Sequence, residues 1–310
     1  METVEMLEHL PPVKLLSQLD QQVFLMNFPL TMSTRVANNA QMVEALDIEH
    51  GLELNRPRAF KQFLDLYSFV TQQNALVYIL PSSGDFQDLE YVANMGLYLP
   101  HVEHPTIVAA NFTSPCRQGE EIIGIEFFEM MGYDVRWCPY RWEGEAELKY
   151  IRDNLYIGGY GIRSTLKAHQ WMAREFDMEI PTVFMSDPRM YHLDTMFLRL
   201  TPEKVMFPTD IMMKEDIKQL EKYVEVIHVP TDVMLTGAFN AVKCGNYLIF
   251  ADAFNVLDPF PTETLDELDK YLSIAESATG LTLKSFNLLE YRRSGASLGC
   301  MFMHMNYRKY

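Results

Sequence analysis

Cysteine is scarce in this sequence: the 310 residues contain four cysteines, and no two of them form a Cys-x-x-Cys pair. Cysteines that are so few and so widely spaced argue against a fold stabilised by disulfides and against a zinc-finger or thioredoxin-like site. Positive charge is also low, since 26 Lys and Arg compare with 42 Asp and Glu, and the formal net charge is −16. A surface with this excess of negative charge repels phosphate backbones, so we expect no nucleic-acid partner.

Long apolar runs and dinucleotide-binding motifs are missing as well. No run approaches the roughly 20 apolar residues that span a bilayer, so we expect no membrane association. No Gly-x-Gly-x-x-Gly follows a predicted strand, which leaves a Rossmann unit without support. The first residues are acidic, unlike the start of a signal peptide. Together with the free cysteines, this predicts a protein of the reducing cytoplasm.

The sequence does contain a regular alternation of short strands and helices. Of its residues 48% are hydrophobic, which is enough for a sizeable core. Residues 1–22, interrupted by Pro11-Pro12, are predicted to form a short helix and a connector. After them a strand–strand–helix–strand order recurs, which predicts a mixed α/β protein with about five small repeats. The predicted helices span residues 58–71, 118–131, 164–176, 214–223 and 263–280.

The first candidate for chemistry is Cys300, in the segment Ser294-Gly-Ala-Ser-Leu-Gly-Cys300. Small residues before a cysteine allow an exposed turn that other backbone groups can approach closely. A thiolate there is a strong nucleophile if a base is near or its pKa is lowered. A buried structural cysteine at the start of a strand is the competing interpretation. His304, four residues further on, would lie on the same face of a strand, and we interpret it as a partly exposed strand histidine.

The second candidate is the segment His192-Leu-Asp194-Thr195. Side chains two residues apart on an extended chain point the same way, so an imidazole and a carboxylate would line one cavity. One could act as an acid or base while the other holds a cation. A histidine hydrogen-bonded at the start of a strand is the alternative.

Three glutamates lie close together in Glu143-Gly-Glu145-Ala-Glu147. Neighbouring carboxylates raise each other's pKa unless a cation or an imidazole compensates their charge. An acidic surface loop is the default interpretation for Glu145.

Three further side chains suit a polar pocket but also have ordinary explanations. Asn94, which follows a predicted apolar strand, can donate and accept hydrogen bonds, although an ordinary turn asparagine is the default interpretation. Arg117 and Arg163 could each bind a carboxylate with two hydrogen bonds, or could form surface ion pairs.

Taken in their order, these segments resemble the superfamily of guanidine-modifying enzymes. It includes arginine deiminases, amidinotransferases, dimethylarginine dimethylaminohydrolases and arginine dihydrolases. The resemblance extends from about Val23 to Met305 and is most specific in His192-Leu-Asp-Thr195 and Gly299-Cys300. It implies a five-bladed α/β propeller of ββαβ units (the pentein fold) with the active site on its axis. Residues 23–310 would then be a single catalytic domain that needs no metal and no organic cofactor.

The resemblance also implies a role for each candidate residue. Cys300 would be the nucleophile, His192 the general acid and base, and Glu143 the carboxylate that orients His192. Asp194 would hold the guanidinium nitrogens. The other implied substrate-binding residues are Asn94, Asn39, Arg117 and Arg163.

Two departures from the superfamily's pattern leave alternatives open. Deiminases usually have aspartate at the position of Asn94, and asparagine is more similar to the arginine dihydrolases, which release two ammonias and yield ornithine. The familiar Glu-Gly-Gly-Asp is replaced here by Glu143-Gly-Glu-Ala-Glu147, so Glu147 is an alternative triad carboxylate.

The function predicted from the sequence is hydrolysis of arginine or a modified arginine through a covalent intermediate on Cys300. The predicted partner is therefore a small guanidino compound, and a homo-oligomer is left open. The alternatives are amidino transfer to an amine, hydrolysis of dimethylarginine or citrulline, and a catalytically silent binding protein.

Overall fold

The computed structural model of the chain describes residues 19–48, 54–253 and 259–307. In these ranges the chain forms five sheets of three strands each. The strands are β1 (Val23–Met26), β2 (Leu76–Ile79), β3 (Gly96–Leu99), β4 (Thr106–Ala109), β5 (Asp134–Trp137), β6 (Leu148–Arg152), β7 (Leu155–Tyr160), β8 (Thr182–Phe184), β9 (Leu198–Arg199), β10 (Lys204–Phe207), β11 (Glu225–His228), β12 (Val242–Cys244), β13 (Tyr247–Ala251), β14 (Thr282–Phe286) and β15 (Met303–His304). The helices are α1 (Ala40–Ile48), α2 (Arg56–Gln72), α3 (Glu120–Met130), α4 (Leu166–Glu175), α5 (Lys214–Leu220), α6 (Thr231–Met234), α7 (Thr262–Thr279) and α8 (Leu289–Arg293).

The five sheets repeat one arrangement. In the second sheet, β3 pairs antiparallel with β4, and β4 pairs parallel with β5. Helix α3 connects β4 to β5, because parallel neighbours cannot be joined by a tight turn. The other four sheets have the same strand directions, with α2, α4, α5 and α7 as the connecting helices. The predicted repetition of five ββαβ units is confirmed.

The first sheet takes its first strand from the far end of the sequence. β15 pairs antiparallel with β1, so that Phe24 lies opposite His304. The Val23 N–H also donates to Asn306 Oδ1 at 2.9 Å. This pairing joins the two ends of the described chain and fixes Cys300, which lies three residues before β15.

The five predicted helical segments are all helical in the structure. Local caps explain two of the starts: Asn55 Oδ1 accepts the Arg58 N–H before α2, and Thr165 Oγ1 accepts the Ala168 N–H before α4. None of the described helices is long and apolar enough to cross a membrane. Residues 1–18 lie outside the described ranges, so the N-terminal helix and the domain boundary at residue 22 remain predictions.

Short 3₁₀ turns precede the first strands of four of the five sheets. Val92–Asn94 precedes β3, and Gly144–Ala146 precedes β6. Leu193–Thr195 precedes β9, and Gly299–Met301 precedes β15. In the fifth sheet Asn240 lies two residues before β12. The first of these turns contacts both the second and the fourth, so equivalent positions of different sheets meet in one place.

Candidate active site

The turns before the first strands bring most of the candidate residues to one narrow polar cavity. Six of the predicted residues line it: Asn39, Asn94, Arg117, Arg163, His192 and Cys300. Glu143 and Asp194 contact members of this lining from behind. Side chains that are more than 90 residues apart in the sequence therefore share one site, as with Asn94 and His192.

Glu143 and His192 form a buried hydrogen-bonded pair. Glu143 Oε2 lies 2.7 Å from His192 Nε2. Its Oε1 accepts the backbone N–H groups of Thr113 and Ser114, and Arg163 Nη1 donates to Oε2 at 2.9 Å. Burial raises the pKa of Glu143, but the Arg163 charge and the contact with His192 outweigh it and hold this pKa well below the usual range. Glu143 is therefore an ionised group that can orient the imidazole.

Glu147, the alternative carboxylate, is held by the backbone. Its Oε2 accepts the Leu193 N–H at 3.3 Å, and its Oε1 is buried without a hydrogen-bond partner among the described residues. Burial, and then the charge of Glu143, raise its pKa well above the usual value. Of the two carboxyl groups, Glu143 is the one that lies within hydrogen-bond distance of His192.

His192 is 3% exposed, and burial lowers the pKa of its imidazole despite the opposing effect of Glu143. The ring is therefore neutral near pH 7. A neutral imidazole can accept a proton and return it, which is what a general acid and base requires.

Arg117 is buried, and its guanidinium is occupied by protein groups. Its Nε and Nη2 donate to Glu120 Oε2 at 2.9 and 2.7 Å, and its Nη1 donates to Asn94 Oδ1 at 2.8 Å. Because Asn94 Oδ1 accepts from Arg117, the Asn94 Nδ2 group is on the opposite side. It lies 3.3 Å from the Glu143 carbonyl oxygen and 3.4 Å from His192 Nε2. Arg117 thus orients the Asn94 amide, and its predicted contact with a substrate carboxylate stays a prediction.

Arg163 and Asn39 connect the cavity to the surrounding chain. Arg163, besides its bond to Glu143, has its guanidinium 4.8 Å from the centre of the Tyr191 ring. Asn39 Oδ1 accepts the Met42 N–H at the start of α1, and its Nδ2 donates to the Ser294 carbonyl oxygen at 3.1 Å. Both side chains have a structural role in addition to any contact with a substrate.

Gly295 makes the approach of Asn39 possible. Its φ of +81° lies in the left-handed region, and a Cβ there would fall 2.1 Å from Asn39 Oδ1. Glycine is therefore required in the segment that leads to Cys300.

Cys300 is 3% exposed and lies beside a carboxylate. Its Sγ is 3.7 Å from Asp194 Oδ2 and 3.8 Å from Asn240 Oδ1. Burial, and then the Asp194 charge, raise the pKa of this thiol far above its usual value. A cation bound next to Asp194 would offset both effects and favour the thiolate. The arrangement is suited to a nucleophile that is activated by a positively charged ligand.

Comparisons with known proteins agree with this geometry. The N-terminal domain of ArgZ, an arginine dihydrolase from cyanobacteria, has the same fold, with a TM-score of 0.76 and 22% identity over 92% of this chain and 98% of that chain. The bifunctional arginine dihydrolase/ornithine cyclodeaminase AgrE of Nostoc is 34% identical over 149 residues, which are 47% of this chain and 20% of AgrE. The chain is thus similar in sequence and in fold to guanidine-modifying enzymes. The predicted five-bladed α/β propeller is confirmed.

The name of a second relative refers to a different reaction. The N(G),N(G)-dimethylarginine dimethylaminohydrolase of Mycobacterium tuberculosis is 30% identical over 181 residues, which are 58% of this chain and 56% of that enzyme. The chain therefore spans a fifth of AgrE and just over half of the mycobacterial enzyme. No protein-family model matches the chain.

Three predictions about the local structure of the candidate segments were wrong. Leu193–Thr195 is a 3₁₀ turn rather than extended chain, and Asn94 ends a turn before β3 rather than following a strand. Glu145 is buried instead of lying on a surface loop, and its Oε1 is 2.7 Å from Nδ1 of His304. All three differences have one physical reason. These segments lie just before the first strands of their sheets, and this part of the propeller is buried.

Sequence reasoning missed two polar residues at the site, Asp88 and Asn240. Asp88 Oδ2 accepts from Asn38 Nδ2 at 2.5 Å, and its Oδ1 is buried without a partner in the described part of the chain. Asn240 Nδ2 donates to the Asp194 carbonyl oxygen at 2.9 Å, and its Oδ1 accepts the Cys300 N–H at 3.2 Å. The signal that could have identified Asn240 is its position just before the first strand of a repeat. Within the described ranges, no group of three or more His, Cys, Asp and Glu side chains could hold a metal ion.

Proposed function

We propose that the protein hydrolyses the guanidinium group of arginine or a close analogue through a covalent intermediate on Cys300. The observation that supports this most is the Asp194 carboxylate 3.7 Å from the Cys300 thiol, in a site that also contains the Glu143–His192 pair. ArgZ, which shares the fold, has been solved with a covalently bound reaction intermediate. A cytoplasmic location, where thiols stay reduced, is part of the same proposal.

In the first step the guanidinium lies against Asp194 and its charge favours the Cys300 thiolate. The thiol proton passes to His192 as sulfur bonds to the guanidinium carbon. His192, held by Glu143, returns that proton to the departing ammonia. The product of the step is an amidino group bonded to sulfur, and the enzyme holds the substrate in line for attack because the plane of the guanidinium is fixed.

In the second step water replaces the ammonia that has left. The neutral His192 takes a proton from this water, and the oxygen adds to the same carbon. If sulfur leaves next, it takes the proton back from His192, and arginine becomes citrulline. If a second ammonia leaves first, it takes that proton instead. Another water then displaces sulfur from the carbonyl carbon, and the carbamate that is released breaks down to ornithine and carbon dioxide.

The orientation of Asn94 favours the second outcome. Arg117 occupies its Oδ1, so the amide presents its NH2 group toward His192. Before the first ammonia leaves, the reacting carbon carries a nitrogen that donates hydrogen bonds. After water has added, it carries an oxygen in that place, and this oxygen accepts hydrogen bonds. An amide can donate to that oxygen and an ionised aspartate cannot. We therefore propose a dihydrolase in preference to a deiminase.

The ends of an amino-acid substrate have partners of opposite charge in the cavity. Arg163 is buried but lines the cavity, and its guanidinium can bind a carboxylate. Asp88 has a buried oxygen without a protein partner among the described residues and can accept from an ammonium group. These two residues extend the proposed substrate class from guanidines to α-amino acids with a guanidino side chain.

The products formed from L-arginine without any amine acceptor test the proposal. We expect ornithine with about two ammonias for each ornithine and no urea, measured together by amino-acid analysis and ammonia assay. Citrulline as the end product would replace the dihydrolase by a deiminase. Turnover that required an added amine would indicate an amidinotransferase. No turnover of arginine, methylarginines or citrulline under any of these conditions would contradict the hydrolase proposal.

Two matched variants test the choice of carboxylate. We expect Glu143→Gln to lower kcat by about 10²-fold or more, because His192 loses the anion that orients it. Glu147→Gln is expected to keep most of the activity, since Glu147 accepts from the Leu193 N–H rather than from His192 and its raised pKa favours the neutral form that glutamine resembles. Steady-state rates of the two purified variants on arginine provide the measurement. If Glu147→Gln lost as much activity as Glu143→Gln, Glu143 would not be the specific partner of His192.

A further inference from the structure

A second and larger cavity lies behind the catalytic turns, along the propeller axis. It borders Asp194, Asn240 and Gly299, the residue before Cys300, and it continues along the first strands β6, β9, β12 and β15. Lys243 comes three residues after Asn240 and lies on β12, so the cavity extends from the catalytic turns along this strand. The first strands thus begin at the catalytic cavity and end at this axial cavity.

Three cations from three different strands line the axial cavity: Lys149 from β6, Arg199 from β9 and Lys243 from β12. Lys149 Nζ lies 3.7 Å from Glu145 Oε1. Glu145 also accepts the backbone N–H of His304 at 2.9 Å. The Glu145 charge is therefore already offset by Lys149 and by these hydrogen bonds.

Lys243 has a different environment. Its Nζ donates to the Leu200 carbonyl oxygen at 2.5 Å, and within the part of the chain that the structure describes it forms no ion pair. Burial, and then the charge of Arg199, lower the pKa of Lys243 to about 8. Asp194 also borders the cavity, but its Oδ2 is beside Cys300 Sγ and does not neutralise Lys243. Lys243 and Arg199 thus line one cavity in a chain whose net charge is −16.

The rest of the lining is apolar or aromatic. Phe197, Leu198, Val242 and Phe302 form the apolar wall. The guanidinium of Arg199 lies 5.6 Å from the centre of the Tyr150 ring, so the cation is next to an aromatic surface. A ligand for this cavity would need a negative charge at one end and a flat or apolar body.

We propose that the axial cavity binds a small organic carboxylate. Its carboxylate lies between Arg199 and Lys243, where the planar guanidinium fork suits two carboxylate oxygens. Its carbon skeleton packs against Phe197 and Phe302. The apolar wall selects against inorganic phosphate, which has no body to bury. Asp194 borders the axial cavity and also lies beside Cys300, but the proposed ligand contacts, Arg199, Lys243, Phe197 and Phe302, differ from the residues that act on the guanidinium, so this site does not depend on the proposed reaction.

Binding of benzoate, followed by isothermal titration calorimetry on the full chain, tests the site. Benzamide has the same shape without the charge, and inorganic phosphate has charge without the ring. We expect both to bind at least about tenfold more weakly than benzoate, since each lacks one of the two matched features. Equal affinity for benzoate and benzamide, or tighter binding of phosphate, would overturn the proposal.

Single-charge variants locate the site. Lys243→Gln and Arg199→Gln, on different strands, are each expected to weaken benzoate binding by about tenfold. Lys204→Gln removes an exposed cation that pairs with Glu225 and is expected to leave the affinity unchanged. Arg163→Gln removes one of the two arginines that line the catalytic cavity and is also expected to leave the benzoate affinity unchanged. Circular dichroism of each variant checks folding, and either of the first two variants suffices if the other does not fold.

The reverse effect of these variants on benzoate affinity would show that benzoate binds at a different site. Loss of benzoate affinity in Arg163→Gln, with full affinity in Lys243→Gln or Arg199→Gln, would place benzoate in the catalytic cavity and overturn the axial site. Because the measurement is binding rather than turnover, a failure of the proposed reaction would leave this result unaffected.

Discussion

Cys300→Ser is expected to abolish turnover of arginine, with kcat lowered by about 10⁴-fold or more. A serine hydroxyl is far less acidic than a thiol, and burial beside Asp194 disfavours its ionised form further. The guanidinium that binds next to Asp194 supplies enough positive charge to ionise a thiol but not an alcohol. The rate of ammonia release by the purified variant provides the measurement, and acid quenching of the wild type followed by mass spectrometry detects the adduct on Cys300.

Cys116→Ser is the matched control. Among the described residues Cys116 is the one cysteine that is not buried, and its Sγ lies 4.0 Å from Asp88 Oδ2. We expect this variant to keep most of the wild-type rate. Clear turnover by Cys300→Ser, or an adduct on Cys116 instead, would contradict the assignment of the nucleophile.

Alkylation rates add a check on how the thiol is activated. Because the raised pKa keeps Cys300 protonated near pH 7, its alkylation by neutral iodoacetamide is expected to accelerate as the pH rises. A cationic haloacetamidine, which can bind beside Asp194, is expected to label it faster at neutral pH. Equal rates for the two reagents at neutral pH would show that a positive charge does not activate the thiol.

His192→Gln is expected to lower kcat by about 10³-fold with little change in KM. The glutamine amide can still donate to Glu143 Oε2, as the imidazole does now, so the packing of the site is retained. It cannot accept and release a proton, however, and both proposed steps need such a transfer. Steady-state kinetics on arginine separate the two parameters.

The pH dependence gives a signature that a purely structural role would not produce. Since burial lowers the pKa of His192, its neutral form persists below the ordinary histidine range and is lost only as the pH falls further. We expect the acidic limb of kcat/KM in the wild type to reflect this group and to be absent in His192→Gln. His228→Gln alters an exposed histidine bonded to Thr209 and is expected to change nothing. A rise in KM with unchanged kcat in His192→Gln would contradict its role in proton transfer.

The repeat pattern was readable in the sequence because it depends on local chemistry. Apolar residues at helical spacing in 58–71, a proline stop after residues 75–80 and Gly132 after α3 each act within a few residues. Such signals predict the type of an element better than its ends. Helix α5 ends at Leu220, three residues before the predicted end. The Tyr223 N–H then donates to the Leu220 carbonyl oxygen.

The geometry of the site was less readable because it depends on contacts between distant segments. Whether Glu143 or Glu147 meets His192 is decided by how the turn before β6 packs against the turn before β9. Burial of Glu145 likewise depends on β15, since His304 comes from the far end of the sequence. No local pattern contains this information.

The sequence by itself determined the class of the fold, the number of repeats and the residue types from which a guanidine-hydrolysing site could be built. It did so because helix and strand periodicity, turn residues and short motifs are properties of neighbouring residues. Only the tertiary structure decided that Glu143 holds His192, that Arg117 orients Asn94 and that Asn240 joins Asp194 to Cys300. The physical reason is that these hydrogen bonds join segments far apart in the sequence, which come together where the first strands of the five sheets begin.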